Sequence, residues 1–271
     1  MSALNIISFI EHNFASEYYN LNKKFFGLEY QPKNSIDDYL VHKILVTLTL
    51  SYKSLIFAIK NKINLIITYF GLLEKPISRF DDLLIKKLNL LSKLSPLIYT
   101  LNSSIICSEY GTSATLGDIL YLKIENLFKI HQDKDNIPIG RICIPKKYPI
   151  SNKSFLFENL IKRVKNIFEL NNIRYSGDLN QNIERICIIA AKITNIRIIK
   201  KVFDSRCDCL ISCNIRTKQL LFAKEINLCI IDIPFFKILY LTLKKFHKVL
   251  SLEFPKKKVF FFELKYPMES Y

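Results

Sequence analysis

Glycine is scarce, with six residues in a chain of 271, too few for the backbone cradle that a glycine-rich phosphate loop needs. No apolar run approaches the roughly 18 residues that a membrane-spanning helix requires. The start, MSALNIISFIEHNF, has neither the basic leading region nor the small-residue cleavage site of a secretion signal. Only four histidines occur, His12, His42, His131 and His247, and they lie far apart, which reads as ordinary surface or structural residues rather than a metal centre. The seven cysteines are odd in number and scattered through strand-like runs, as expected of reduced thiols rather than a disulfide framework. These absences point to a soluble intracellular protein, cytoplasmic or nuclear, with no membrane partner.

Acidic residues are scarce in one half only. Residues 1–135 hold 15 Lys/Arg against 13 Asp/Glu, a net of +2, whereas residues 136–271 hold 25 against 11, a net of +14. A composition bias of the source proteome acts on both halves alike, so it does not account for the difference. A field of this asymmetry is the footprint expected of a polyanion-binding face. Its candidate phosphate contacts are Lys146, Lys147, Lys162, Arg163, Lys165, Arg197, Lys200, Lys201, Lys256, Lys257 and Lys258. Taken singly, each also fits a solvated helix or strand edge, and only the collective asymmetry favours contact.

Apolar residues make up 49% of the chain and aromatics 13%, ample for a packed core, and the length allows one large domain or two lobes. Leu4, Ile7, Ile10 and Phe14 recur at helical spacing and predict a helix over 3–15. Strands are predicted at 43–50, 64–69 and 96–101, alternating with helices at 52–61, 81–94 and 115–122. The polar segment 131–136, HQDKDN, marks a boundary between a first lobe, 1–130, and a second, strongly basic lobe, 137–271. Beyond it a short strand is predicted at 141–144 and an amphipathic helix over 154–170. A second helix at 194–203 has Ile196, Ile199, Val202 and Phe203 facing inward. The chain closes with a helix to about 252, suited by Pro234 in its first turn, and a strand at 259–264. Alternating elements of this kind argue for an α/β layered fold.

The second lobe is organised around RCDCLISCNIRTKQLLFAKEINLCIIDIPFFK, residues 206–237. Two apolar runs, 208–212 and 226–231, flank two helical turns at 217–224, the signature of a βαβ unit with buried parallel strands. Loops at the carboxyl ends of such strands are where chemistry usually sits. Here the loop at 213–216 offers no acid and the loop at 232–237 offers Asp232 beside Ile, Pro and two Phe. Cys207, Cys209 and Cys213 have a C-x-C-x₃-C spacing that matches no zinc pattern, and Cys207 and Cys209 are expected on one face of a strand. They read as structural thiols.

The order and wording of these pieces resemble the Nif-three-like family (NGG-one interacting factor three, also labelled GTP cyclohydrolase I type 2). The pieces are IGRIC at 139–143, NIRY at 172–175, NLIITY at 64–69, IYT at 98–100, Gly111 with Leu116, and the βαβ unit. The resemblance spans almost the whole chain. It implies two similar, intertwined three-layer α/β/α lobes, homo-oligomers and a di-metal site between the lobes. The ligand motifs it implies fall on Tyr69 and Phe70, on Asn102 and Ile106, and on Ile233 and Lys237. An expected acid is Thr49, and the expected glycine-rich turn is Ala190, Ala191 and Lys192. Metal ions need deprotonated N, O or S ligands at fixed count and geometry, so no metal or other cofactor is expected and an enzyme is not.

The expectation is therefore a non-enzymatic, metal-free protein of this fold that binds structured RNA, such as ribosomal RNA in a ribosome-associated or dormancy role. Phe70, Ile106, Ile233 and Phe235 are expected to fill the former metal positions with apolar side chains. A protein–protein adaptor is the alternative, and a residual hydrolase acting on a phosphorylated small molecule is a further one.

Overall fold

The computed structural model describes residues 1–14, 26–32, 35–73, 77, 79–132, 135–146, 154–193, 195–255 and 258–267. Its first elements are α1 (Ala3–Phe14), β1 (Gly27–Tyr30), β2 (Ile44–Thr49), α2 (Tyr52–Asn61), β3 (Leu65–Phe70), α3 (Asp82–Leu94), β4 (Leu97–Thr100) and α4 (Ser104–Cys107). Then come α5 (Thr112–Ile119), β5 (Leu122–Gln132), β6 (Asp135–Pro145), α6 (Phe157–Ile167), β7 (Arg174–Ser176), β8 (Ile186–Lys192) and α7 (Ile196–Asp204). The chain ends with β9 (Cys209–Cys213), α8 (Thr217–Glu225), β10 (Cys229–Asp232), α9 (Phe235–Glu253) and β11 (Val259–Phe261).

Two compact units form, Met1–Ser108 with Tyr240–Lys265, and Glu109–Leu239 with Tyr266–Tyr271. In the first, β2, β3 and β4 run parallel and β11 joins β2, while β1 lies antiparallel to β4 at the other edge. These strands are Val-, Ile- and Leu-rich because helices cover both faces. Leu45, Ile66 and Ile98 pack under α2 and α3 through Leu55, Ala58 and Leu91. On the opposite face Tyr99 donates to Glu11 of α1 at 3.3 Å, and Phe14 meets Phe246 of α9 edge-on at 4.6 Å. Within α1, Ile6 is buried and Leu4 is exposed, a shift of the apolar stripe expected at 3–15.

The second unit holds a six-stranded sheet in the order β5-β6-β8-β9-β10-β7. Its centre, β8-β9-β10, is parallel, and β9-α8-β10 is the βαβ unit expected from the sequence. One face packs Cys187, Ile189, Leu210 and Ile230 under Ile199 and Val202 of α7 and Ala223 of α8. The other face carries α5, whose Ser113 accepts from the Ala190 N–H at 3.1 Å and donates to the Ile139 carbonyl at 3.3 Å. Helix α6 is tied to that side by Arg163, which donates to the Leu120 carbonyl at 3.1 Å. Gly140 of the IGRIC strand is required by close approach, since a Cβ there would sit 2.6 Å from the Ile188 carbonyl oxygen. Each unit is thus a three-layer α/β/α sandwich.

Three expectations change. Residues 131, 132, 135 and 136 of the polar segment expected as the boundary between lobes are instead the paired ends of β5 and β6, both in the second unit. The helix expected at 115–122 runs over Thr112–Ile119, because Leu122 already begins β5. Phe203, expected to face inward, is 46% exposed, since α7 turns Ile199 and Val202 to the sheet.

Candidate functional site

The folded units redistribute the charge. The first holds 19 Lys/Arg against 10 Asp/Glu, a net of +9, and the second 21 against 14, a net of +7. The asymmetry between sequence halves is therefore not one between folded units, because 240–265, with seven lysines against two acids, belongs to the first unit. What matters is which cations share a face.

The candidate contacts divide between surfaces. Arg197, Lys200 and Lys201 all point outward from α7, which Asn195 caps by accepting from the Arg197 N–H at 2.9 Å. Helix α8 packs beside α7 on the same face of the sheet and adds exposed Lys218 and Lys224. Arg206, just past α7, and Arg216, at the N-cap of α8, are exposed too. Exposed acids on this layer are Asp204 and Glu225. Phe203 and Leu221, 46% and 60% exposed, lie among these cations. Sequence reading missed the α8 cations because it took that helix only as the crossover of a buried βαβ unit.

On α6, by contrast, the cations are engaged. Lys162 pairs with Glu158 at 2.7 Å, and Arg163 stacks 4.8 Å over Phe155 as well as binding Leu120. Lys165 is exposed on the same helix. Lys146 is exposed at the end of β6, and Lys258 lies in the first unit before β11. Lys147, Lys256 and Lys257 lie outside the described residues. The structure thus brings Arg197, Lys200 and Lys201 together and leaves the α6 cations on the other side of the sheet.

The positions implied as former metal ligands offer a poor donor set. In the first unit, Tyr69 is buried with its ring 4.8 Å from Phe70, which is half-buried. Asn102 has a positive φ of 41° and accepts from the Ser103 N–H through its own side chain, and Ile106 is buried. In the second unit Ile233 is fully buried and Phe235 half-buried, and the Lys237 ammonium lies 5.8 Å over the Tyr266 ring. A phenol, an amide, hydrocarbon side chains and a cation do not fit a pair of divalent ions. Among the described residues, no group of three or more His, Cys, Asp or Glu side chains converges as a metal site.

The cysteines separate by face. Cys207 packs beside Leu210 under α7 and α8, whereas Cys209, one pleat earlier, faces the other layer. The two therefore do not share a face, contrary to the spacing-based expectation, because Cys207 precedes β9. Burial pushes the thiols of Cys143 and Cys213 up to about 12. Cys207 moves the other way, lowered by the hydrogen bond from Cys187 and by Arg185.

At the carboxyl ends of β9 and β10 a cavity of about 260 Å³ is lined by Ile173, Arg174, Tyr175, Leu220 and Asp232. Its position follows from topology, because β7 closes the sheet edge antiparallel to β10 and sets Arg174 opposite Asp232. The Arg174 Nη1 lies 3.1 Å from the Asp232 carboxylate, whose side chain is 5% exposed against 69% for Arg174. Burial raises the Asp232 carboxyl above its ordinary value, while Arg174 and the Ile215 and Asn214 backbone N–H groups pull it down. In the sequence Asp232 is the one acid of its loop and Arg174 lies within NIRY, two pieces that no local spacing joins.

A sequence model of the Duf34/NIF3 (NGG1p interacting factor 3) family matches residues 2–267. Among solved structures, reduced HcgD from Methanocaldococcus jannaschii is 21% identical, with a TM-score of 0.76 over 97% of this chain and 98% of its own. A hypothetical protein of Staphylococcus aureus is 17% identical, with a TM-score of 0.77 over 100% and 99%. A Bacillus cereus protein related to NIF3 is 12% identical, with a TM-score of 0.76 over 99% of each chain. No curated protein matches the sequence. Among the described residues, no helix is long and apolar enough to cross a membrane.

Proposed function

The chain belongs to the DUF34/NIF3 family, and on that premise we propose that it is a metal-free, non-enzymatic member that binds structured RNA across the outer surface of α7 and α8. The observation that carries this reading is the shared layer of Arg197, Lys200, Lys201, Lys218 and Lys224, with Phe203 and Leu221 exposed among them. Guanidinium and ammonium groups at this spacing contact phosphates without reading sequence. Exposed apolar and aromatic side chains offer surfaces on which splayed bases stack. Ribosomal RNA is a structured polyanion large enough to engage such a layer, and binding it would give the protein a ribosome-associated role. The replaced ligand positions support the non-enzymatic part, since Lys237 sets a cation where a carboxylate is needed to hold a divalent ion.

A second reading has its own observation. On α3, Leu83, Ile85 and Leu88 are 55%, 44% and 37% exposed, with Phe80 at 67% just before the helix. Apolar side chains left to solvent in this way favour a protein partner. One experiment separates the two: affinity capture of the full chain from lysate, with and without RNase, followed by binding of purified structured RNA at increasing salt. RNA-dependent capture, with affinity falling linearly in log–log salt plots, is the expected outcome. Capture of a protein that survives RNase, with no RNA bound at moderate salt, transfers the function to the α3 surface. Elemental analysis showing one equivalent of Zn, Mn or Fe per chain would remove the metal-free part.

A further inference from the structure

Strand β11 is an edge of the first unit's sheet, at the end of the order β1-β4-β3-β2-β11. Successive residues of a strand turn their backbone groups to opposite sides, so the pairing with β2 decides which groups of β11 are free. The Phe262 N–H donates to the Val46 carbonyl at 2.9 Å, so Phe260 and Phe262 turn their N–H and C=O groups toward β2. Val259 and Phe261 turn theirs away. The Val259 carbonyl bears this out, since it accepts from His247 Nε2 of α9 at 3.3 Å. Two residues on, the outward N–H and C=O of Phe261 have no partner among the described residues.

The side chains around this free edge divide by face. Phe260 and Phe262 lie 6.3 and 5.4 Å from the Phe57 ring of α2, and Phe261 lies 5.6 Å from both Tyr240 and His247 of α9. All three are half-buried, so a strand added beside β11 would meet apolar rings on both of its faces. The surrounding charge has one sign. Lys43 sits 5.7 Å over the Phe260 ring, and exposed Lys258 and Lys265 bracket the strand. The acid beside them, Glu263, is engaged by Lys244 at 3.3 Å. A second copy pairing through the same edge would set these lysines against their own counterparts, which is unfavourable. A phosphodiester chain offers acceptors but no regular donor for the carbonyl. An acidic peptide meets both requirements.

We propose that the free edge of β11 docks an extended, acidic peptide segment of a partner protein, which adds to the sheet as a sixth strand through main-chain hydrogen bonds to Phe261. This surface lies in the first unit and does not depend on the α7–α8 layer read as an RNA face.

The test is fluorescence anisotropy of the full-length chain with a labelled octapeptide of alternating Glu and Val, a probe that is acidic and extended. Saturable binding at submillimolar protein is expected. The same peptide with every amide N-methylated keeps its charge but donates no hydrogen bond, and is expected to bind at least about 10-fold more weakly. Phe261→Pro removes an N–H that β2 does not use, so the ladder survives. It is expected to bind the probe about 10-fold more weakly than Phe261→Ala, which loses the same ring but keeps the N–H. Lys258→Gln with Lys265→Gln is expected to weaken the probe and to make its binding less sensitive to salt. No binding at millimolar protein, equal binding of the N-methylated peptide, or equal binding by Phe261→Pro and Phe261→Ala overturns the proposal. Sedimentation showing a dimer of the parent chain that Phe261→Pro dissolves overturns it too, by giving the edge to a second copy. Displacement of the probe by structured RNA that Lys258→Gln with Lys265→Gln abolishes does the same, by assigning these lysines to nucleic acid.

Discussion

Two single residues show how far side-chain chemistry can be anticipated. Gly177 lies in the turn after NIRY with φ at 131°, and a Cβ there would meet the Cys229 sulfur at 2.4 Å. The turn was legible from Ser-Gly-Asp, but the clash was not, because Cys229 is 52 positions away in sequence. Gly177→Ala is expected to cost about 1–3 kcal/mol, read as a lowered urea midpoint, and an unchanged midpoint would show that the turn relaxes. In the sequence Cys207 reads as one of several structural thiols. Its lowered pKa, set first by the Cys187 hydrogen bond and then helped by Arg185, makes its thiolate form at lower pH than an ordinary cysteine's. Ultraviolet titration of the native thiolates is therefore expected to show a step below the usual 9.0 that Cys207→Ser removes. Cys143 and Cys213, pushed up to about 12, should stay protonated at pH 8 until the protein unfolds. A titration left unchanged by Cys207→Ser would contradict it.

Elements built from regular periodicity were legible, and those that break it were not. Strands β2, β3 and β9 and helix α2 appear within a residue of the apolar pattern, since a strand buried on both faces is a continuous apolar run. Strand β10 starts three residues later than its run, because Ile226 and Asn227 still belong to the turn after α8. Strand β5 is invisible to the same rule. Its pairing with β6 shifts register between Ile124 and Asn126 and again between Phe128 and Ile130, and each irregularity resets the alternation of faces. The candidate site failed to emerge for a related reason. Arg174 and Asp232 meet only because β7 pairs antiparallel with β10 at the sheet edge, a contact between segments that the chain separates by 58 positions. Helix α3 shows the opposite case, an apolar pattern that does not become core. Leu91 is the residue it buries, while Leu83, Ile85 and Leu88 remain exposed. Its start depends on Asp81, whose carboxylate accepts from the Leu84 N–H at 2.7 Å. Asp81→Ala is expected to cost about 1 kcal/mol and to speed amide exchange along α3 ahead of β2 and β3. Hydrogen exchange by mass spectrometry reads both. Equal protection of α3 in the two proteins would mean that tertiary contacts, not the cap, hold the helix.

At the scale of the whole molecule, the net charge of +16 has two readings that any single salt titration confuses. A diffuse field attracts a polyanion to every surface, and its strength depends on total charge. A docking face binds through particular cations, and its salt dependence counts those that meet phosphate. Two triple variants with the same total charge separate the readings. Arg197→Glu, Lys200→Glu and Lys201→Glu act on α7 of the second unit. Lys53→Glu, Lys60→Glu and Lys86→Glu act on exposed positions of α2 and α3, which pack together in the first unit. Each set takes the chain from +16 to +10, so a diffuse field predicts equal losses. A face on α7 and α8 predicts unequal ones. The α7 variant should lower the log–log salt slope by about 2–3 for three lost phosphate contacts, and the α2–α3 variant should leave it near that of the parent chain. Filter binding of one structured RNA across a salt series makes the comparison, with thermal melts to show that both variants fold. Equal slopes in the two variants would assign the attraction to overall charge and leave the α7–α8 surface with no special part in it.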